Sequence, residues 1–192
     1  MQAIILAGGL GTRLRSVVSD RPKPMALVEG KPFLEYVLQG LKKSGIDDII
    51  FAVGYKGGMV EEYFGDGSRF GIRARYAYEE ELLGTAGAIK NAGKYVTDEQ
   101  FFVLNGDTFY QMDFGDLSRI QQEKNLEMAL VLRGVPDISR YGAARLTDGL
   151  LTAFNEKNGN TGAGTINGGV YLMKRALLDE INGNLFFKYR NS

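Results

Sequence analysis

The sequence predicts an α/β protein with a mainly parallel sheet, helices on both faces, and mixed strands in its second half. Three observations carry that expectation. Apolar runs at 2–7, 48–53 and 101–104 have the length and composition of buried strands. Segments with helical spacing alternate with them through the first half, as βαβ units require. From residue 126 onward short strand patterns follow one another with few helical ones.

Taken in order, QAIILA at 2–7 is a buried strand that stops at Gly8-Gly9. Residues 33–43 place Phe33, Val37, Leu38 and Leu41 on one helical face behind Lys31-Pro32. DIIFAV at 48–53 is a second buried strand, and GMVEEYF at 58–64 a short amphipathic helix. Residues 72–78 alternate Ile72, Ala74, Tyr76 and Tyr78 against Arg73, Arg75 and Ala77, a strand pattern. Tyr76, Tyr78 and Phe154 are expected in the core, and Arg21, Arg69, Arg73 and Arg75 on the surface. The small residues of 84–92 suit a helix start and close approach. FFVL at 101–104 ends at Asn105-Gly106-Asp107, and 114–124 is helical, with Asp113 and Asp116 at its start. Strands follow at 126–132, 143–146, 150–154 and 166–172, then a helix at 174–181. The Gly- and Asn-rich stretch 158–165 is either a mobile loop over a site or a hairpin connection.

Composition excludes several classes of function. The 192 residues carry 23 Lys+Arg against 23 Asp+Glu, and no Cys, His or Trp. Without Cys there is no disulfide scaffold, zinc-thiolate site or cysteine nucleophile. Without His there is no Ser-His-Asp arrangement. A zero net charge argues against nucleic acid as a partner. No apolar stretch approaches the roughly 20 residues of a membrane span, so no membrane partner is expected. Residues 1–10 lack the features of a signal peptide, which makes the cytoplasm the expected compartment. The 26 glycines are a marked excess and cluster in turns after strands.

The first of those turns is Gly8-Gly9-Leu10-Gly11-Thr12-Arg13-Leu14-Arg15. Glycines directly after a buried strand let backbone N–H groups approach an anion. A Walker A string is absent. The dinucleotide fingerprint fails too, because Leu14 stands where a third small residue is needed. Arg13 and Arg15 suit a triphosphate. In Arg21-Pro22-Lys23-Pro24 two prolines fix the backbone on both sides of a lysine and aim its charge.

Together, a strand, GGLGTRL and a PKP segment resemble the sugar-1-phosphate nucleotidyltransferases. Later segments fit in order: Leu82-Leu83-Gly84-Thr85-Ala86-Gly87, Leu104-Asn105-Gly106-Asp107, Tyr141-Gly142, Glu156-Lys157 and Asn167-Gly168-Gly169-Val170-Tyr171. Within the family, GGLGTRLRSVVSDRPKPMA, LLGTAGAIK, VLNGDTF and RYGAA most resemble the D-glycero-D-manno-heptose 1-phosphate guanylyltransferases. The resemblance implies a Rossmann-like nucleotidyltransferase fold in a single domain over 1–192. It implies transfer of a nucleoside monophosphate, from GTP, to a sugar 1-phosphate with release of pyrophosphate. It also implies roles for particular residues. Arg13 and Lys23 would be catalytic. Leu6, Ala7, Gly8, Gly9, Leu10, Gly11, Thr12 and Arg13 would hold the nucleotide, together with Leu83, Gly84, Thr85, Ala86 and Gly87. Tyr141, Gly142, Glu156, Lys157, Asn167 and Gly168 would meet the sugar phosphate, and Asp107 would bind Mg²⁺. The partners are a nucleoside triphosphate and a sugar 1-phosphate, with room for a homo-oligomer.

The missing histidine costs this chemistry nothing. A phosphate monoester has a second pKa of about 6 and is largely ionised at neutral pH, so its oxygen attacks without a general base. The site has to supply positioning and charge neutralisation. The pattern departs from the family late in the chain. A second metal-binding Asp, in a segment like F-x-D-[IV]-G, is expected after Tyr171 and does not follow it. The chain thus reads as C-terminally incomplete relative to the family: truncated, frameshifted, or complemented by a partner subunit. A catalytically weakened nucleotide- or sugar-phosphate-binding protein is the alternative, as is another sugar: mannose, glucose or N-acetylmuramic acid 1-phosphate. The base-contacting loop 82–87 offers no side-chain code for the base.

Overall fold

A computed structural model describes residues 1–9, 20–155 and 161–181. In chain order the strands are β1 (Gln2–Leu6), β2 (Leu27–Val28), β3 (Lys31–Pro32), β4 (Asp48–Val53) and β5 (Arg73–Tyr78). They continue with β6 (Gln100–Asn105), β7 (Met128–Val135), β8 (Ala143–Thr147), β9 (Leu150–Asn155) and β10 (Gly164–Lys174). The helices are α1 (Phe33–Lys43), α2 (Gly57–Phe64), α3 (Gly84–Gly93), α4 (Phe114–Glu123) and the single turn α5 (Leu177–Glu180).

Eight strands form one sheet in the order β5-β4-β1-β6-β10-β8-β9, with β7 paired to β10. The first four are mutually parallel. The strands of the second half join by antiparallel pairing, the mixed portion that the sequence leads one to expect. β1 has β4 on one side and β6 on the other. The chain thus leaves β1 in one direction and returns beside it from the other, which opens a crevice at the carboxyl ends of β1 and β6.

Period-two burial explains the layers. Ala3 and Ile5 of β1, Ile49, Phe51 and Val53 of β4, and Phe102 and Leu104 of β6 face one core. Leu34, Val37, Leu38 and Leu41 of α1, Val60 and Phe64 of α2, and Phe114 and Leu117 of α4 close that core. Ile4, Ile50, Ala52, Phe101 and Val103 face the other core, under Ala88, Ile89 and Ala92 of α3 and Leu178 of α5. Helices therefore cover both faces. Asp113 caps α4, its carboxylate accepting from the Gly115 N–H at 2.8 Å. Lys42 and Lys43 sit in the last turn of α1, where the helix dipole favours cations.

Several details differ from expectation. Arg73 and Arg75 are not plain surface charge, because both bond to Asp48, which is 7% exposed at the start of β4. A buried carboxylate needs such partners. Tyr76 packs into the core, stacked on Phe51 at 5.4 Å between centroids. Tyr78 and Phe154 remain exposed. The Tyr78 hydroxyl donates to the Glu61 carboxylate, and that hydrogen bond is the main reason its pKa is pushed up to about 12. The last helix shrinks from the expected 174–181 to one turn because β10 runs on through Lys174. The β2–β3 ribbon, turned by Glu29-Gly30 at φ 50° and 80°, carries too few residues to show a strand period.

Candidate active site

Three segments converge at the crevice. β1 ends in Ala7, Gly8 and Gly9, with the Ala7 N–H donating to the Ala52 carbonyl at 2.8 Å. β6 ends in Asn105, Gly106 and Asp107, with the Gly106 N–H donating to the Leu6 carbonyl at 2.9 Å. A Cβ on Gly106 would lie 2.8 Å from that carbonyl oxygen and 3.2 Å from Pro24 Cγ, so only glycine lets the segments nest. The third segment is a 3₁₀ turn, Lys23–Met25, that starts from Pro22 at φ −65°. Pro24 and Met25 are buried, which fixes the backbone of Lys23 against the sheet. The result is an ion pair between residues 84 apart in sequence: Lys23 Nζ lies 2.5 Å from Asp107 Oδ2.

A fourth segment forms the opposite wall. Beyond β5 the Glu79 N–H donates to the Val53 carbonyl at 2.8 Å, which carries the chain over the end of β4. The Glu79 carboxylate then lies against Gly8, with Oε1 2.7 Å from where a Cβ on Gly8 would sit. Burial pushes the Glu79 carboxyl above its usual value, partly offset by the Leu83 N–H that donates to it. α3 begins just beyond, at Gly84.

These walls enclose a cavity of 470 Å³ lined by Leu6, Ala7, Gly8, Gly9, Lys23, Pro24, Glu79, Leu82, Gly84, Thr85, Ala88, Asn105 and Asp107. Of the nucleotide residues expected from sequence, Leu6 through Gly9, Gly84 and Thr85 line it. Leu83, Ala86 and Gly87 do not. Ala86 packs against the core under α3, and Gly87 is tucked against Leu83. Leu10, Gly11, Thr12 and Arg13 fall outside the described residues.

Of the expected sugar-phosphate residues, Tyr141, Gly142, Asn167 and Gly168 are not among those that line this cavity. Tyr141 is exposed, and Gly142 immediately precedes β8. Asn167 and Gly168 belong to a bulge where β10 slips against β7 between Asn167 and Tyr171. There Asn167 Oδ1 accepts from the Gly169 N–H at 2.8 Å, and its Nδ2 donates to the Tyr171 hydroxyl at 2.5 Å. Asn167 thus shapes the bulge, with one donor and one lone pair left over. Glu156 and Lys157 lie outside the described residues.

Sequence reasoning missed Pro24, Glu79 and Ala88 as lining residues; Leu82 lay in the expected base-contacting loop and Asn105 in the segment ending at Asp107, neither with a role of its own. Glu79-Glu80-Glu81 is a charged run before the small-residue stretch, but nothing in a lone sequence singles out Glu79. Only the return of the chain over β4 does. Among the described residues no cluster of three or more His, Cys, Asp or Glu side chains suits a metal ion.

The model of the "Nucleotidyl transferase" family matches residues 2–189. A D-glycero-alpha-D-manno-heptose 1-phosphate guanylyltransferase of Aneurinibacillus thermoaerophilus is 44% identical over 179 residues, 93% of this chain and 77% of that protein. The enzyme of the same name from Campylobacter jejuni is 45% identical over 181 residues, 94% of this chain and 79% of that protein. The crystal structure of HddC from Yersinia pseudotuberculosis complexed with GMP-PN superposes with a TM-score of 0.84 at 32% identity. The match covers 98% of this chain and 86% of that one. A strand-end crevice that sets a lysine, a carboxylate and a glycine loop around one cavity thus comes with likeness along nearly the whole chain, which belongs to the nucleotidyl transferase family and is a nucleotidyltransferase.

Proposed function

We propose that this enzyme transfers a guanylyl group from GTP to D-glycero-α-D-manno-heptose 1-phosphate, releasing pyrophosphate and forming a GDP-heptose for surface polysaccharide. The observation that carries the base assignment is Glu79. Its carboxylate lines the cavity beside Gly8 and α3. An ionised carboxylate only accepts hydrogen bonds. Guanine offers two adjacent donors, N1–H and N2–H, to such a group. Uracil and thymine flank their one N–H with carbonyl oxygens that would face it in repulsion. Adenine sets an acceptor beside its donor. The sugar assignment rests on the names of the two relatives above 40% identity.

In this reading a sugar-phosphate oxygen attacks the α-phosphorus, a new P–O bond forms, and the bond to the β-phosphate breaks. Gly8 and Gly9 present backbone next to the phosphates. Lys23 neutralises charge at the α-phosphate. Arg13 is proposed for the β- and γ-phosphates, Lys157 for the sugar phosphate, and Glu156 and Asn167 for sugar hydroxyls. Tyr141 and Gly142 are proposed for the sugar side as well. Asp107 would hold a divalent cation, which would supply charge neutralisation at the phosphates. A lone hard carboxylate completed by phosphate and water suits Mg²⁺, which keeps part of its hydration shell. We take residues 1–192 as one nucleotidyltransferase domain acting in the cytoplasm, where its nucleotide substrate is made. Among the described residues no helix is long and apolar enough to cross a membrane.

The test is a grid of nucleoside triphosphates against sugar 1-phosphates, scored by pyrophosphate release. GTP with the heptose 1-phosphate is expected to give the highest kcat/KM. Faster release with UTP or dTTP would overturn the base assignment, and a preference for mannose 1-phosphate would overturn the sugar.

A further inference from the structure

We propose that the Lys23–Asp107 ion pair is a clasp across the site that makes it load divalent cation and triphosphate together. The proposal rests on the reading of Asp107 as the metal ligand and Lys23 as the α-phosphate cation.

Both members of the pair stand on fixed backbone. Lys23 lies between buried Pro22 and Pro24, and Asp107 follows Gly106, which is bonded to the end of β1. Their heads meet at 2.5 Å, while each side chain keeps 37% exposure, so water and ligand reach the pair from the cavity side. Among the described residues, the charged ones that line the cavity are Lys23, Glu79 and Asp107. With the pair closed, the one described lining cation is engaged, and one of the two carboxylates is neutralised.

Each ligand arriving alone meets opposition. A divalent cation must displace an ammonium group from Asp107 with no second protein carboxylate clustered there among the described residues. A metal-free triphosphate finds Lys23 engaged by Asp107 and no other lining cation among the described residues. When both arrive, Asp107 passes to the cation and Lys23 passes to the phosphate. Each charge keeps an opposite partner through the exchange. Coupling of this kind is reciprocal: the cation must tighten the triphosphate by the factor with which the triphosphate tightens the cation.

The experiment measures Mn²⁺ binding by calorimetry to wild type, Lys23→Met and Asp107→Asn, without nucleotide and with saturating GTP in the absence of sugar phosphate. Wild type is expected to bind free Mn²⁺ weakly and to tighten strongly with GTP. Lys23→Met is expected to bind free Mn²⁺ about fivefold or more tighter than wild type, with correspondingly smaller coupling. Equal affinity of Lys23→Met and wild type for free Mn²⁺ would overturn the clasp.

A second readout is the Lys23 side-chain ¹⁵N–¹H ammonium resonance, assigned through bonds from its own backbone. It is expected to be protected in wild type, lost to exchange in Asp107→Asn, and displaced by Mg·GTP. An unchanged resonance in Asp107→Asn would overturn the proposal even if Lys23→Met fails to fold. Free Mn²⁺ carries neither base nor sugar. A failure of guanylyl transfer in the substrate grid is therefore separable from a failure here.

Discussion

Glu79 concentrates the residue-scale chemistry. Its carboxyl is raised mainly by burial, so in the folded state its ionised form is disfavoured. A folded value above the unfolded one near 4.5 means that the folded state holds this proton more tightly. Stability from this group is thus full below about 4.5 and is lost as pH rises through the raised value. Glu79→Gln is expected to melt higher than wild type at neutral pH and equally at acid pH, as followed by circular dichroism. The same change removes an acceptor that guanine needs. It is expected to lower kcat/KM for GTP by about tenfold or more, as loss of a hydrogen bond to a charged group does, and to narrow the gap to UTP. In wild type, kcat/KM for GTP should fall on the acid side as Glu79 takes up its proton. Asp107→Asn and Arg13→Ala are each expected to lower turnover by more than about tenfold, because charge neutralisation is the main demand of phosphoryl chemistry. Unchanged Mg²⁺ dependence in Asp107→Asn would displace Asp107 from the metal site.

At the scale of elements, the helices and buried strands followed from pattern. The helix at 33–43 matches α1, and DIIFAV matches β4, because each buries a continuous face that fixes its period. The bulge in β10 is different. Gly169 stands at φ +76°, and a Cβ there would lie 2.5 Å from Asn105 Nδ2. The motif Asn167-Gly168-Gly169 was legible as a site strand, but not as a bulge whose glycine makes room for a cavity residue on β6. Gly169→Ala is expected to cost about 1–3 kcal/mol in urea unfolding, as backbone strain of this kind does. It should also lower kcat, since Asn105 lines the cavity. An unchanged kcat with the stability loss present would separate the bulge from the site.

At the scale of the whole molecule, the sheet has a stabilising end and a working end. At the amino end of β4, Asp48 accepts from Arg73, Arg75 and Gln2, which also receives the Thr97 and Asp98 N–H groups. At the carboxyl ends of β1, β5 and β6 lies the cavity. Asp48→Ala removes a buried carboxylate shared by exposed Arg73, half-buried Arg75 and buried Gln2, and is expected to cost about 1–2 kcal/mol of stability. Its kcat/KM should stay within a factor of two of wild type, since the length of a strand separates it from the site. Arg73 and Arg75 looked like solvent charge because strand alternation places them outward. Only the parallel pairing of β5 with β4 shows that outward positions at a strand start meet a buried carboxylate.

The sequence by itself determined the alternation of strands and helices, the glycine turn, the proline-held lysine and the family. All of these are local patterns of period, rotation freedom and spacing. It could not decide which distant groups share a cavity. The 2.5 Å contact between Lys23 and Asp107, the place of Glu79 against Gly8, and the support of Asn105 by Gly169 depend on strand order. Each joins segments that are far apart in the chain, and strand order is settled by burial on both faces of the sheet at once.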